Sequence, residues 1–258
     1  MSKATVSRIE IDLPPIADQR RIAAILDQAD ALRAKRREAL AQLDSLTQSI
    51  FIEMFGDPKI QIEAGACSLL SDVVAPGRIV TYGIVQAGPE VADGVPYIRT
   101  GDIKNGVILE DRLSKTSFEI AESYSRSAIK TGDIVMSIRA TVGTTALVPE
   151  SLNGGNLTQG TARISPGDGV RNEYLLSYLR THSAQAWIQS NVKGATFREI
   201  TLGKLRQLPI FVPSLDLQKV FARRIGVVNT LTATAQRSLA ELDTLFASLQ
   251  HRAFQGEL

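Results

Sequence analysis

Apolar residues recur every three or four positions near both ends of this chain and give way, in its middle, to short β-branched runs. Near the start Ile22, Ile25, Ala29, Leu32, Ala39, Leu43, Leu46 and Ile50 keep the 3–4 spacing, broken at Arg36. Near the end Phe221, Val228, Leu231, Ala235, Leu242, Leu245 and Leu249 keep it again. This is a helical stripe, and its narrowness suits another helix better than a broad core. Pro14 and Pro15 bar helix before them, and Asp18 favours a first turn. Gly56 with Pro58, and later Gly256, are stop signals. Two long helices are therefore predicted, over 18–56 and 214–258. At ~1.5 Å per residue the first is roughly 55 Å long.

The two helical segments are copies of one another. At an offset of 199, Pro14, Gln19, Ala23, Leu32, Leu40, Asp44, Ser49 and Phe55 recur as Pro213, Gln218, Ala222, Leu231, Leu239, Asp243, Ser248 and Phe254. Twelve identities fall in 42 ungapped positions, which marks an internal duplication. Two matched stripes in one chain make an antiparallel coiled coil the economical arrangement. The match continues upstream, where RIEIDLPP (Arg8 to Pro15) stands opposite the strand-like QLPIFVPS (Gln207 to Ser214). Residues 1–17 thus read as the last strand and linker of a domain whose body is missing.

Residues 57–213 have another character. The runs RIVTYGIV, VPYIRTGDI, GVILE, DIVMSIRATVGTTALV and TARIS alternate with turn signals such as Asn105-Gly106, Thr131-Gly132-Asp133 and Asn153-Gly154-Gly155. A helical stretch, NEYLLSYLRTHSAQAWIQSNV, offers Tyr174, Leu175, Tyr178, Leu179 and Trp187 to one buried face. The expected fold class is α+β: one mixed domain flanked by two long helices forming an antiparallel coiled coil.

Composition narrows the chemistry. No apolar run approaches the ~20 residues of a membrane span. A single cysteine, Cys67, forms no internal disulfide and suits a reducing cytoplasm. One cysteine and two histidines, His182 and His251, make a poor zinc set. The chain contains no phosphate-binding G-x-x-x-x-G-K-[ST] loop and no G-x-S-x-G elbow. Thr141-Val142-Gly143-Thr144-Thr145 is not a dinucleotide fingerprint. Asp102, Asp111 and Asp133 read as turn residues. No catalytic constellation emerges, and neither a cofactor nor a metal is expected. The net charge is +2, yet from Arg139 to Arg206 eight basic residues stand against four acidic ones, a mild sign of a phosphate-facing side.

Three passages together carry a family resemblance. LPPIADQRRIAAILDQADALRAKRREAL resembles the conserved helical region of type I restriction–modification specificity subunits. VPYIRTGDIKNGVI and TGDIVMSIRATVGTTALVPESLNGGNLTQGTARI resemble their target recognition domain, and VKGATFREITLGKLRQLPIFVPSLDLQ the passage into the next conserved helix. The resemblance implies a noncatalytic subunit that reads one half of a split double-stranded DNA sequence. It also implies docking of DNA adenine methyltransferase subunits, which hold S-adenosylmethionine, and of a motor–nuclease subunit when cleavage occurs. Family members carry two recognition domains; this chain is expected to carry one, which points to a homodimer or to pairing with a second specificity chain.

Loop position and residue type single out candidate DNA contacts. Arg99, Lys104, Arg139 and Lys193 are candidates for phosphates. Thr81, Tyr82 and Gln86 form one polar loop, Thr141 follows Arg139, Asn156, Thr158 and Gln159 form a second loop, and Arg198 lies in a third after Gly194. Arg33, Lys35, Arg36 and Arg37 form a charge run on the first helix, expected as a solvated face. The rival reading is a coiled-coil adaptor whose central domain binds protein without specific DNA reading.

Overall fold

The computed structural model describes residues 14–195 and 197–256. Most of the strand-like tail read over Arg8 to Pro15 lies outside them. In chain order the elements are α1 (Ile16–Phe55), α2 (Pro58–Glu63), β1 (Ser68–Leu69), β2 (Thr81–Tyr82), β3 (Val95–Ile98), β4 (Ile103–Lys104) and β5 (Val107–Ile108). Then follow β6 (Ser114–Thr116), α3 (Phe118–Ser123), β7 (Ile134–Ser137), β8 (Thr145–Leu147), β9 (Asn156–Leu157) and β10 (Thr161–Ile164). The chain closes with α4 (Asn172–Arg180), α5 (His182–Ser190), α6 (Leu202–Leu205), β11 (Pro209–Ile210) and α7 (Leu215–Phe254). They fall into two compact units, one of residues up to Leu46 with those from Val227 onward, the other of Thr47–Gly226.

In the first unit α1 and α7 pair antiparallel. Arg33 donates from Nε to Asp243 Oδ1 at 2.6 Å and lies 4.2 Å over the Phe246 ring, while Arg37, one turn later, reaches back to the same Asp243 at 3.3 Å. Ala29, Val228 and Ala235 are buried in the seam, with Arg36, Leu40, Leu43, Thr232, Leu239 and Leu242 half-buried beside them. The inward positions match across the repeat: Ala29 with Val228, Arg36 with Ala235, Leu43 with Leu242. Most of the stripe read from the sequence faces inward, but four of its members, Leu32, Leu46, Leu231 and Leu245, stand outside the seam. Arg33 takes the inward place beside Leu32, where a charge-assisted bond to Asp243 and a ring contact, worth about 0.5–1 kcal/mol, reward its long side chain. Arg33 and Arg37 of the charge run are therefore inter-helix partners rather than a solvated face. Each helix stops where a glycine takes positive φ, Gly56 at 77° and Gly256 at 73°.

In the second unit the sheets are short. The order β2-β10-β7-β8 is antiparallel throughout; β6-β3-β9 mixes an antiparallel with a parallel pairing. β4 and β5 form a hairpin through Asn105 (φ 50°) and Gly106 (φ 79°), a two-residue turn of the kind that matches strand twist. β11 pairs with β1, so the segment before α7 closes on the segment after α2. The predicted single helix over 172–192 is two helices, α4 and α5, parted at Thr181. That residue is extended (ψ 151°), and its hydroxyl accepts from Ala184 N as the cap of α5.

Phe51, Phe55 and Phe221 pack with Tyr174 and Tyr178; the Phe51 ring stacks on Tyr174 at 5.5 Å and meets Phe221 edge-on at 5.6 Å. Each such pair adds about 0.5–1.5 kcal/mol beyond area burial. The two buried tyrosine hydroxyls donate to Phe211 O at 2.6 Å and Pro209 O at 2.8 Å, and burial drives both phenols well above their ordinary pKa. Gln218, wholly buried, donates to Pro213 O and Gly169 O and accepts from Arg171 N, tying the first turn of α7 to the loop before α4.

Candidate nucleic-acid interface

Four segments of the second unit are laced together by backbone hydrogen bonds. Gly83 and Ile84 donate to Thr158 O and Leu157 O, and Gln159 donates back to Ile84 O at 2.9 Å. A side chain at Gly83 would overlap the Leu157 carbonyl, so glycine permits this approach. Ile138 and Arg139 both donate to Gly160 O, which places the 158–160 strip between Ile84 and Arg139. Ala140 donates to Arg198 O at 3.0 Å, and Ile200 donates to Ile138 O. Lys193 and Glu199 exchange N–H···O bonds at 2.8 and 2.9 Å, closing a hairpin. Gly194 at its start has φ +86°, and a Cβ there would overlap the Phe197 carbonyl.

Most of the residues expected to touch DNA meet on this surface. Gln86, Thr141, Lys193 and Arg198 are exposed; Tyr82, Arg139, Thr158 and Gln159 are half-buried. Arg139 donates to Glu199 Oε1 at 3.3 Å, with its Nε 3.1 Å from Oε2, and Arg198 donates to Gln189 Oε1 at 2.6 Å. Ala140 holds a positive φ of 56°, a conformation that costs about 1–2 kcal/mol outside glycine and is held here by the Arg198 carbonyl.

Three of the other expected contacts, Thr81, Asn156 and Arg99, belong to the scaffold. Thr81 is buried in β2, and Asn156 is buried in β9, where it accepts from Ser127 Oγ and donates to Tyr124 O, so neither offers a group to a ligand. Arg99 donates to both Asp102 oxygens and to Arg112 O; the bond to Asp102 raises its pKa. Lys104 is exposed on the β4–β5 hairpin, whose turn Arg180 holds through Gly106 O. The basic surplus over 139–206 is likewise partly internal. Arg163 is 1% exposed and donates to Arg126 O at 2.6 Å and Ala128 O at 2.9 Å; burial, then Arg78, lowers its pKa to about 10. Arg206 is spent on Val80 O and Arg171 on Glu173. Phe197, absent from the candidates, is 88% exposed beside Lys193 and Arg198. Its signal in the sequence is an aromatic between a turn glycine and an arginine.

A second surface lies on the helix pair of the first unit. Leu32, Leu46, Leu231 and Leu245 are 49, 46, 53 and 50% exposed. Leu32 and Leu46 are two heptads apart, as are Leu231 and Leu245, and the offset of 199 maps one couple onto the other. Equivalent flanking positions of an antiparallel pair share one side of it. Arg33 over Phe246 sets Leu32 level with Leu245.

Residues 85–244 match the family model described as "Type I restriction modification DNA specificity domain". The chain belongs to this family. Its relatives are named as specificity subunits. It is 27% identical over its whole length to the type I restriction enzyme EcoBI specificity subunit of Escherichia coli, of which it covers 60%. Over 60% of its length it is 26% identical to the MjaIX specificity subunit of Methanocaldococcus jannaschii, covering 36% of that protein. The chain thus spans about 60% or less of these relatives. Its fold is that of the HsdS subunit from Thermoanaerobacter tengcongensis (TM-score 0.52, 24% identity, 96% of this chain and 61% of that one). It is likewise that of the S subunit from M. genitalium (TM-score 0.53, 13% identity, 93% and 61%).

Proposed function

We propose that this specificity-family chain reads one half of a split duplex DNA sequence through the surface joining 82–86, 139–141, 158–160, 193–195 and 197–199, and that its helix pair docks methyltransferase subunits. The observation that carries the reading is that the backbone segments bearing Arg139, Thr141, Thr158, Gln159, Lys193 and Arg198 are hydrogen-bonded into one surface. Cations there suit phosphates, and the amide and hydroxyl groups suit base edges. The other half of such a site needs a second reader, which a second copy of this chain would supply. The exposed leucines support docking by apolar helices of a methyltransferase subunit, which would itself hold S-adenosylmethionine.

The test has two steps. Random duplexes selected by the full chain are expected to converge on one sequence. The affinity for it is then followed against salt. Arg139→Ala with Lys193→Ala is expected to lower the magnitude of the slope of log K against log salt by about 2, near one per lost phosphate contact. An unchanged slope would remove both residues from the phosphate contacts, and a failure to select any sequence would favour an adaptor role.

A further inference from the structure

We infer that Phe197 is a wedge that enters the DNA duplex between two stacked bases. The inference rests on the DNA-reading surface proposed above and assigns to it a deformation of the duplex rather than a further hydrogen bond.

A benzyl side chain 88% exposed on a hairpin has no packing role among the described residues. The Lys193–Glu199 backbone pair closes the hairpin at its base, and Gly194 makes a turn that no side chain at that position could share. The next residue, Arg198, is held on both sides, its carbonyl by Ala140 N and its guanidinium by Gln189. Arg139, through Glu199, supports the same strand. Phe197 is therefore projected from a braced hairpin, with Lys193 and Arg198 beside it.

That arrangement selects the partner. An apolar ring flanked by cations is matched by a polyanion whose interior is apolar and flat, which is a base-paired stack. Phenylalanine wedges of this kind part a base step and kink the duplex while neighbouring cations hold the phosphates. Pyrimidine–purine steps unstack most easily, so the step entered by Phe197 is expected to be TA, CA or TG. Part of the specificity would then be read as deformability, at a step that no polar side chain contacts.

The experiment uses the full chain without methyltransferase, so that no base is extruded for chemistry. The selected duplex carries 2-aminopurine at one position at a time. Binding is expected to raise the fluorescence at one step, with the rise lost in Phe197→Ser and kept in Phe197→Leu, since leucine also serves as a wedge. Affinity for the selected duplex should fall about 10-fold in Phe197→Ser with the salt slope unchanged, because no cation is removed. Phe197 is exposed, so thermal unfolding of both variants should follow the parent chain. Tight, sequence-specific binding with no fluorescence rise at any position, or with a rise that survives in Phe197→Ser, overturns the wedge and leaves the DNA-reading surface standing. Absence of any sequence-specific binding by the parent chain overturns the reading itself, and the wedge with it.

Discussion

Arg163 shows how far residue type alone misleads about a basic surface. It is the largest side chain buried in the second unit, and its guanidinium donates to the carbonyls of Arg126, Ala128 and Ile79. An arginine of this kind organises loops: its planar fork binds several backbone oxygens that would otherwise be stranded away from water. Arg163→Met keeps much of the volume but removes every donor. It is expected to lower stability by about 3 kcal/mol, the scale of leaving buried acceptors unpaired, as read from denaturant unfolding. The salt slope of DNA binding should be unchanged. Lys193→Ala should do the reverse, with little effect on unfolding and a slope smaller by about one.

At the scale of elements, caps and stops decide where helices break. Asp57 follows the Gly56 stop and caps α2, accepting from Lys59 N at 2.9 Å and from Ser183 Oγ at 2.5 Å. The Ser183 bond first, and the Lys59 bond second, hold its carboxyl below the ordinary range. A lowered folded pKa gives a stabilisation that is complete above the unfolded value of about 4 and is lost as pH falls through the folded value. Asp57→Ala is therefore expected to cost about 1 kcal/mol at pH 6, the worth of an N-cap. The gap between variant and parent should narrow steadily below pH 4. A gap constant across pH 6 to 3 in urea unfolding would show that the carboxylate charge does not contribute. Thr181 acts in the same manner between α4 and α5. Its hydroxyl accepts from Ala184 N while the extended backbone turns the chain, so one amphipathic stretch becomes two helices.

At the scale of the molecule, the repeat and the helix pair determine what is left for partners. The seam takes Arg33, Arg36 and their counterparts Thr232 and Ala235, and the four leucines beside it remain about half exposed. Leu32→Gln with Leu46→Gln should leave thermal unfolding almost unchanged, as expected for half-exposed sites. The same pair should weaken capture of methyltransferase subunits at least 10-fold, measured by native mass spectrometry of the complex. Capture at parental strength would move docking to another face.

Periodicity, copied segments and stop residues are local properties, and they alone were enough to place both long helices, their antiparallel pairing, the Asn105–Gly106 turn and the α+β class. The family was legible for the same reason, since its motifs are short and contiguous. Burial is not local. Whether Leu32 or Arg33 faces the seam depends on Asp243 and Phe246, more than 200 residues away along the chain. Whether Asn156 meets solvent depends on Ser127 and Tyr124. The candidate interface was visible as scattered polar loops; that 84, 139, 158–160 and 198 touch one another was decided by strand pairing between distant segments. Phe197 went unmarked because an aromatic residue is by default a core residue. Its exposure follows from the hairpin closed by Lys193 and Glu199, a feature that exists in the folded chain alone.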